Sequence, residues 1–242
     1  LDDMRKSAEA IETSYSEVGR GGTHQAKYEK DAAISIARAR LGSLNLNSQP
    51  LCFGRLDLED ANAIEEKTTA YVGRIAISDE EQEPLVIDWR APVAEPFYRA
   101  TPIDPHGVVR RRHFHMFDKK IVRMDDEVFD EAKAEKNKLN IVGEAALLSA
   151  VSKKRTGRMG DIVATIQHEQ DLAIRAQINK VLIVTGGPGT GKTAVALHRA
   201  AYLLYTYRDT LVHSGVLLVG PSKTFLKYID EVLPSLGEND VF

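Results

Sequence analysis

"KVLIVTGGPGTGKTAVALHRAAYLLYTY", Lys180 to Tyr207, decides how the chain is read. Gly186 to Thr193 fits G-x-x-x-x-G-K-[ST], and the flanks supply the context that pattern requires. Ahead of it, "KVLIVTG" is a short β-branched run that reads as a buried strand; behind it, apolar residues recur at helical spacing without a breaker. A strand that aims a loop, glycines that let backbone N–H groups turn inward, and a helix N-terminus facing an anion together make a phosphate cradle. Gly187, Pro188, Gly189, Thr190 and Gly191 form its wall. Lys192 is expected to reach the β- and γ-phosphates of ATP, and the Thr193 hydroxyl to ligate Mg²⁺; these two residues are the catalytic candidates.

An ATPase of this kind needs a second acid, at the end of another apolar strand, to organise the magnesium water. Asp88 in "PLVIDWR" follows an apolar strand but lies upstream of the loop. Asp230 and Glu231 in "LKYIDEVL" fall among Leu226, Ile229 and Leu233, whose spacing puts both acids on a helix surface. The expectation is therefore that the 242 residues, opening on "LDDMRK" and closing on "GENDVF", stop before the second half of the motor and are inactive alone.

Composition narrows the class. At 43% hydrophobic and 28% charged residues, the chain can bury a core and hold more than one domain. No apolar run approaches a membrane span and no signal peptide is visible. The single cysteine, Cys52, excludes an internal disulfide framework, suits a reducing cytoplasm, and reads as a small buried hydrophobe rather than a nucleophile. A net charge of −3 argues against coating nucleic acid through bulk charge.

Three blocks are expected. Residues 1–48 form an antiparallel coiled-coil arm: Leu1, Met4, Ala8, Ile11, Tyr15 and Val18 alternate spacings of three and four, "GRGGTHQ" breaks the helix, and Ile34, Ala37, Leu41 and Leu44 resume the pattern. The alternative is an ordinary helical pair folded onto a core. Residues 49–143 read as a small β-rich domain, an antiparallel meander or small barrel built from "YVGRIAI", "PLVIDW", "EPFYRA", "HGVVRRRHFHMF" and "KIVRM". Its basic cluster of Arg110, Arg111 and Arg112 cannot point one way on a strand, and reads either as a contact for polyanion or partner or as a solvated face. His113 and His115 have no further ligands at a spacing suited to metal. Residues 144–242 are the first part of a motor lobe, an α/β fold with a partial parallel sheet. In it, "DIVATIQHEQDLAIRAQ" is helical and offers Gln170, with Gln167 as fallback, to pair with the adenine edge. A second apolar strand, "SGVLLVG", precedes a helix opened by Ser222, Lys223 and Thr224.

Gln170 ahead of the glycine loop, "GKT" followed by "VALHRAAYLL", and "VGPSKTFLKYI" resemble the first motor lobe of UvrD/Rep-type helicases. With "LCFGRLD", "YVGRIAI", "LVIDWRAPVAEPFYRA", "GVVRRRHF" and the hairpin tip "GGTHQAK", nearly the whole chain resembles the HelD family of helicase-like ATPases. The resemblance implies a cytoplasmic partner of bacterial RNA polymerase core, its arm inserted in the secondary channel, with ATP turnover freeing the polymerase from DNA or RNA and recycling it. A DNA helicase or translocase acting on single-stranded DNA is the alternative, and a nucleotide-binding interaction module a third. Two departures stand out. Ala194 occupies the position where UvrD-type enzymes carry an adenine-stacking arginine, and "RGGTHQAK" lacks the acids that a transcript-cleavage factor holds at its tip.

Overall fold

A computed structural model describes residues 2–17, 30–34, 37, 41, 50–59, 67–117, 120–129, 162–211 and 214–236. Its centre is a six-stranded sheet in the order β3-β4-β2-β1-β5-β6. The strands are β1 (Cys52–Glu59), β2 (Lys67–Gly73), β3 (Ile77–Ser78), β4 (Pro84–Asp88), β5 (Val108–Phe117) and β6 (Lys120–Val128). Neighbours run antiparallel except β2 and β4, which pair in parallel at Val72↔Ile87 and Gly73↔Asp88. The expected all-antiparallel meander is thus a mixed, open sheet with β3 and β6 at its edges. "YVGRIAI" is split between β2 and β3.

"EPFYRA" is not a strand. Pro92 and Pro96 stand in the first turns of a 3₁₀ turn (Pro92–Ala94) and of the short helix α2 (Pro96–Arg99). Proline lacks the N–H a ladder needs, and its fixed φ suits a first helical turn. The turn carries Phe97 beneath the sheet, edge-on to Phe53 with ring centroids 5.6 Å apart. Gly54 is required there, because a Cβ on it would lie 2.2 Å from the Phe97 ring.

The helices are α1 (Asp2–Glu17), α3 (His168–Ile174), α4 (Lys192–Thr206), α5 (Arg208–Leu211) and α6 (Lys223–Val232). One hydrophobic core joins sheet and helices: Phe53, Leu56, Val72 and Trp89 on one side, Ile174, Val195, Leu197 and Leu236 on the other. Ser222 caps α6, its hydroxyl accepting from Phe225 N at 3.2 Å, and Asp230 and Glu231 fall within the span of that helix.

The two motor-lobe strands did not form as read. Residues 181–187 and 215–220 have no strand pairing, and Val181, Ile183 and Leu217 are 91%, 81% and 88% exposed. A β-branched run becomes a strand only when a neighbour supplies the ladder, and no described strand lies beside these segments.

Of the expected arm, α1 and the helical residues 30–34 are described. Ala8 and Ala37 are buried, but Ile11 is 46% exposed and Tyr15 is exposed too, so those two do not lie in a closed seam. Met4 packs against Ile75 and Ile77 near β3, which roots the helix on the sheet rather than only on a facing helix. Leu1, Val18, Leu44 and the glycine turn lie outside the described residues.

The arginine cluster divides by strand alternation. Arg110 and Arg112 share one face: Arg110 Nε donates to Asp57 at 2.7 Å and Arg112 Nε to Asp126 at 2.5 Å. Arg111 turns to the helix side, where it pairs with Glu127 and donates to Phe97 O and Ala100 O. On the outer face Arg55 also donates to Asp57 at 2.7 Å. Burial raises the Asp57 pKa, but the hydrogen bonds from Arg55 and Arg110 outweigh it and hold the carboxyl below its ordinary 3.8. Burial likewise raises the Asp125 pKa, and the hydrogen bonds from His115 and Arg123 outweigh it and hold that carboxyl below its ordinary value. A carboxylate with a depressed folded pKa contributes stability above its unfolded pKa and loses it as pH falls. Urea midpoints should therefore drop as pH is lowered through and below 3.8, and Asp57→Asn should flatten that slope while lowering the midpoint at neutral pH. An unchanged slope in Asp57→Asn would contradict this assignment.

Candidate functional site

The glycine-rich loop, residues 186–191, ends in α4. Gly189 and Gly191 have φ of +79° and +85°, a region that L side chains rarely adopt. At Gly191 space is short as well, since an added Cβ would lie 2.9 Å from Gln170 Nε2. The loop braces itself: Thr190 Oγ1 donates to Gly187 O at 2.9 Å. Lys192 Nζ donates to Gly186 O at 2.9 Å and Gly187 O at 2.6 Å, so the ammonium lies folded over the loop.

Gln170 stands in α3 and meets the loop. Its Nε2 donates to Thr190 O at 3.5 Å, and its Oε1 accepts from Gln167 N at 3.0 Å, closing a capping box at the helix start. Of the two glutamines, Gln170 faces the loop, whereas the Gln167 amide is spent on Thr165 O at 2.9 Å. Thr193 and Ala194 follow Lys192 in the first turn of α4, and Ala194 is buried.

What fixes α3 against α4 was not read from the sequence. Asp171, fully buried, accepts from Arg99 Nε and Arg175 Nε, each at 2.7 Å. Arg175 goes on to donate to Trp89 O at 2.6 Å and Arg90 O at 3.1 Å. The "DWR" segment is thus bound to α3 by its carbonyls. Its own side chains also join in: Asp88 holds the Arg90 guanidinium at 2.9 and 2.8 Å, and Arg90 lies over the Tyr205 ring at 4.6 Å. Trp89 packs against His198 of α4 with centroids 5.6 Å apart, and His198 Nδ1 lies 2.7 Å from Ala194 O in the first turn after the loop. From the other side, Arg199 of α4 donates to Ala173 O, Ile174 O and Ala176 O at the end of α3, at 3.1, 3.1 and 2.6 Å. A cation at a helix C-terminus satisfies carbonyls that the helix leaves unpaired. Asp171 and Arg175 are an i,i+4 pair, a spacing visible in the sequence but ordinarily assigned to a solvated face.

Asp88 is therefore an acceptor for Arg90, with a role in this joint. Cys52 donates to Gly54 O at 3.2 Å and Val72 O at 3.3 Å, and burial pushes its thiol up to about 11. Such a thiol is not a nucleophile near neutral pH.

A nucleoside triphosphate fits this arrangement. The two left-handed glycines keep side chains off two positions of the loop, a lysine ammonium folds over it, and a glutamine amide lies beside it. A family model described as "DNA helicase IV HelD, N-terminal domain" matches residues 1–138, which include the whole sheet and stop short of the glycine loop. No curated protein sequence matches the chain.

Two outcomes follow. Gly191→Ala should strain the loop by about 1–2 kcal/mol and displace Gln170, weakening nucleotide binding in a titration. Asp171→Ala should cost about 3–5 kcal/mol in urea unfolding, because it leaves arginine charge buried without its partner; a loss under about 1 kcal/mol, the scale of a surface pair, would contradict the joint.

Proposed function

From the chain's membership of the HelD family of DNA helicase IV, we propose that it belongs to an ATP-dependent factor that binds bacterial RNA polymerase core, frees it from nucleic acid and recycles it. The observation that carries the nucleotide part is the meeting of Gln170 with Thr190 O, which brings the base-reading candidate to the loop that holds Lys192. In this reading Lys192 would exchange its two loop carbonyls for the β- and γ-phosphates, Thr193 would ligate Mg²⁺, and Gly187, Gly189, Thr190 and Gly191 would present backbone N–H groups, with Pro188, which has none, shaping the turn. Gln170 reads adenine, and Ala194 leaves the base without an arginine stacked on it. Bound ATP with Mg²⁺ supplies the phosphoryl-transfer free energy; the chain's own residues bind, orient and neutralise charge.

Support for a protein partner over a plain nucleic-acid track comes from the charges. Arg110, Arg111 and Arg112 are each matched by Asp57, Asp126 or Glu127, and a net charge of −3 leaves no excess to release counterions. The proposed arm of residues 1–48 would occupy the secondary channel, with residues 49–143 as a globular unit and 144–242 opening the motor lobe. A second reading, a helicase or translocase moving on single-stranded DNA, is favoured by the printed description of the matching family.

Lys192→Ala in the full-length protein should abolish ATP hydrolysis, because no other loop cation can neutralise charge on the γ-phosphate, and should leave capture of core polymerase nearly unchanged. Phosphate release and pull-down on the same preparations check both. ATP hydrolysis stimulated strongly by single-stranded DNA, with no polymerase retained, would replace the recycling reading with the translocase one.

A further inference from the structure

The amide of Gln170 is held by two partners of opposite polarity, and only one of its orientations satisfies both. Gln167 N–H donates to Gln170 Oε1 at 3.0 Å, and Gln170 Nε2 donates to Thr190 O at 3.5 Å. An amide oxygen only accepts and an amide nitrogen only donates. Turned over, the amide would set its NH₂ group against the Gln167 N–H and its oxygen against the Thr190 carbonyl. The bond from Gln167 is the firm one, whereas the contact at Thr190 stands at the long limit of a hydrogen bond. The orientation is therefore set from Gln167, and it keeps Nε2 toward the loop, 2.9 Å from where a Cβ on Gly191 would lie. The Gln167 side chain takes no part in this, its Nε2 being given to Thr165 O at 2.9 Å.

The capacity left over on Gln170 is specific. An amide oxygen carries two lone pairs and an amide nitrogen two hydrogens. One of each is used, so one acceptor and one donor remain side by side. Adenine presents the complement, the N6 donor next to the N7 acceptor. Guanine presents O6 and N7, both acceptors, and so sets an oxygen against Oε1. An amide fixed in this orientation tells the two purines apart. The last torsion of glutamine is broad and two-fold, so an amide without the anchor turns and offers guanine its NH₂ group alone.

We propose that Gln167, through its backbone N–H, is the positioning residue that makes the glycine-loop site selective for adenine over guanine nucleotides. The proposal rests on the nucleotide reading of that loop and deepens it; Gln167 acts through Gln170 and does not itself touch the base.

The test is calorimetric titration of the full-length protein with the Mg²⁺ complexes of ATP, GTP and tripolyphosphate, the last of which has no base to read. The unsubstituted protein should bind ATP more tightly than GTP. Gln167→Pro removes the N–H where the backbone already suits proline, with φ of −86° at Gln167 and ψ of 125° at Ile166 before it. It should weaken ATP by roughly two- to tenfold, the worth of one hydrogen bond, and leave tripolyphosphate unchanged, so that the ATP-to-GTP ratio shrinks. Gln167→Ser, which keeps the N–H and is a good helix cap, should restore the ratio. If Gln167→Pro fails to fold, hydrogen exchange at the Gln167 amide of the unsubstituted protein decides the matter: saturating ATP should slow it and saturating tripolyphosphate should not. Equal affinity of the unsubstituted protein for ATP and GTP, an ATP-to-GTP ratio unmoved by Gln167→Pro, or ATP and tripolyphosphate weakened together would each overturn the proposal and leave Gln167 a helix cap alone. Exchange slowed equally by ATP and tripolyphosphate, or by neither, would do the same. Failure of the unsubstituted protein to bind either ATP or tripolyphosphate would overturn the nucleotide reading of the loop, and this proposal with it.

Discussion

The Asp171 carboxylate, buried between Arg99 and Arg175, is the constraint from which the rest of the structure follows. Arg175 could not be placed there alone, because a charge taken from water without a partner costs several kcal/mol; Arg99 pairs with Glu95 as well. With the acid between them, one guanidinium comes from the end of α2 and the other from Arg175, which caps the end of α3, and the second also takes the carbonyls of Trp89 and Arg90. Gln170 neighbours Asp171 in sequence, and α4 is held against α3 by Arg199. The positions of the two candidate nucleotide-binding helices are therefore set by a joint that touches no nucleotide.

That joint changes the sense of the chain's division. The glycine loop has no strand of its own to aim it among the described residues; α4 is instead held by Trp89 and the hydrophobic core it shares with the sheet. The sheet body is rooted at its other end on Met4 of α1, through Ile75 and Ile77. Sheet, loop helix and the base of α1 are thus mechanically continuous, while the outer face of β5 and β6 is a ladder of matched charges that offers no excess field to a polyanion.

Local patterns in the sequence were legible where one element decides its own fate. The α4 periodicity, the Ser222 cap, the helical spacing of Leu226 and Ile229, and the splitting of the arginines by strand alternation are all properties of a few neighbouring residues. Two kinds of feature escaped. "EPFYRA" reads as apolar strand by composition, and only the weight given to Pro96, with Pro92 just ahead of it, turns that reading to a helix. "KVLIVTG" has every strand propensity, but a strand requires a partner as well as a propensity. The Asp171 joint escaped for a third reason: its members come from "EPFYRA", "HEQDLAIR" and "DWRAP", and nothing in any one stretch announces the others.

A core and a joint shared by the sheet and the loop helix make them one cooperative unit, and native-state hydrogen exchange in rising denaturant measures that directly. Amides of β1 and β5 and those in the middle of α4 should open with the same free energy and the same denaturant dependence, as a single unit does. If α4 opened at lower denaturant while the sheet stayed protected, the Asp171 joint would be a surface docking rather than the constraint on which the fold depends.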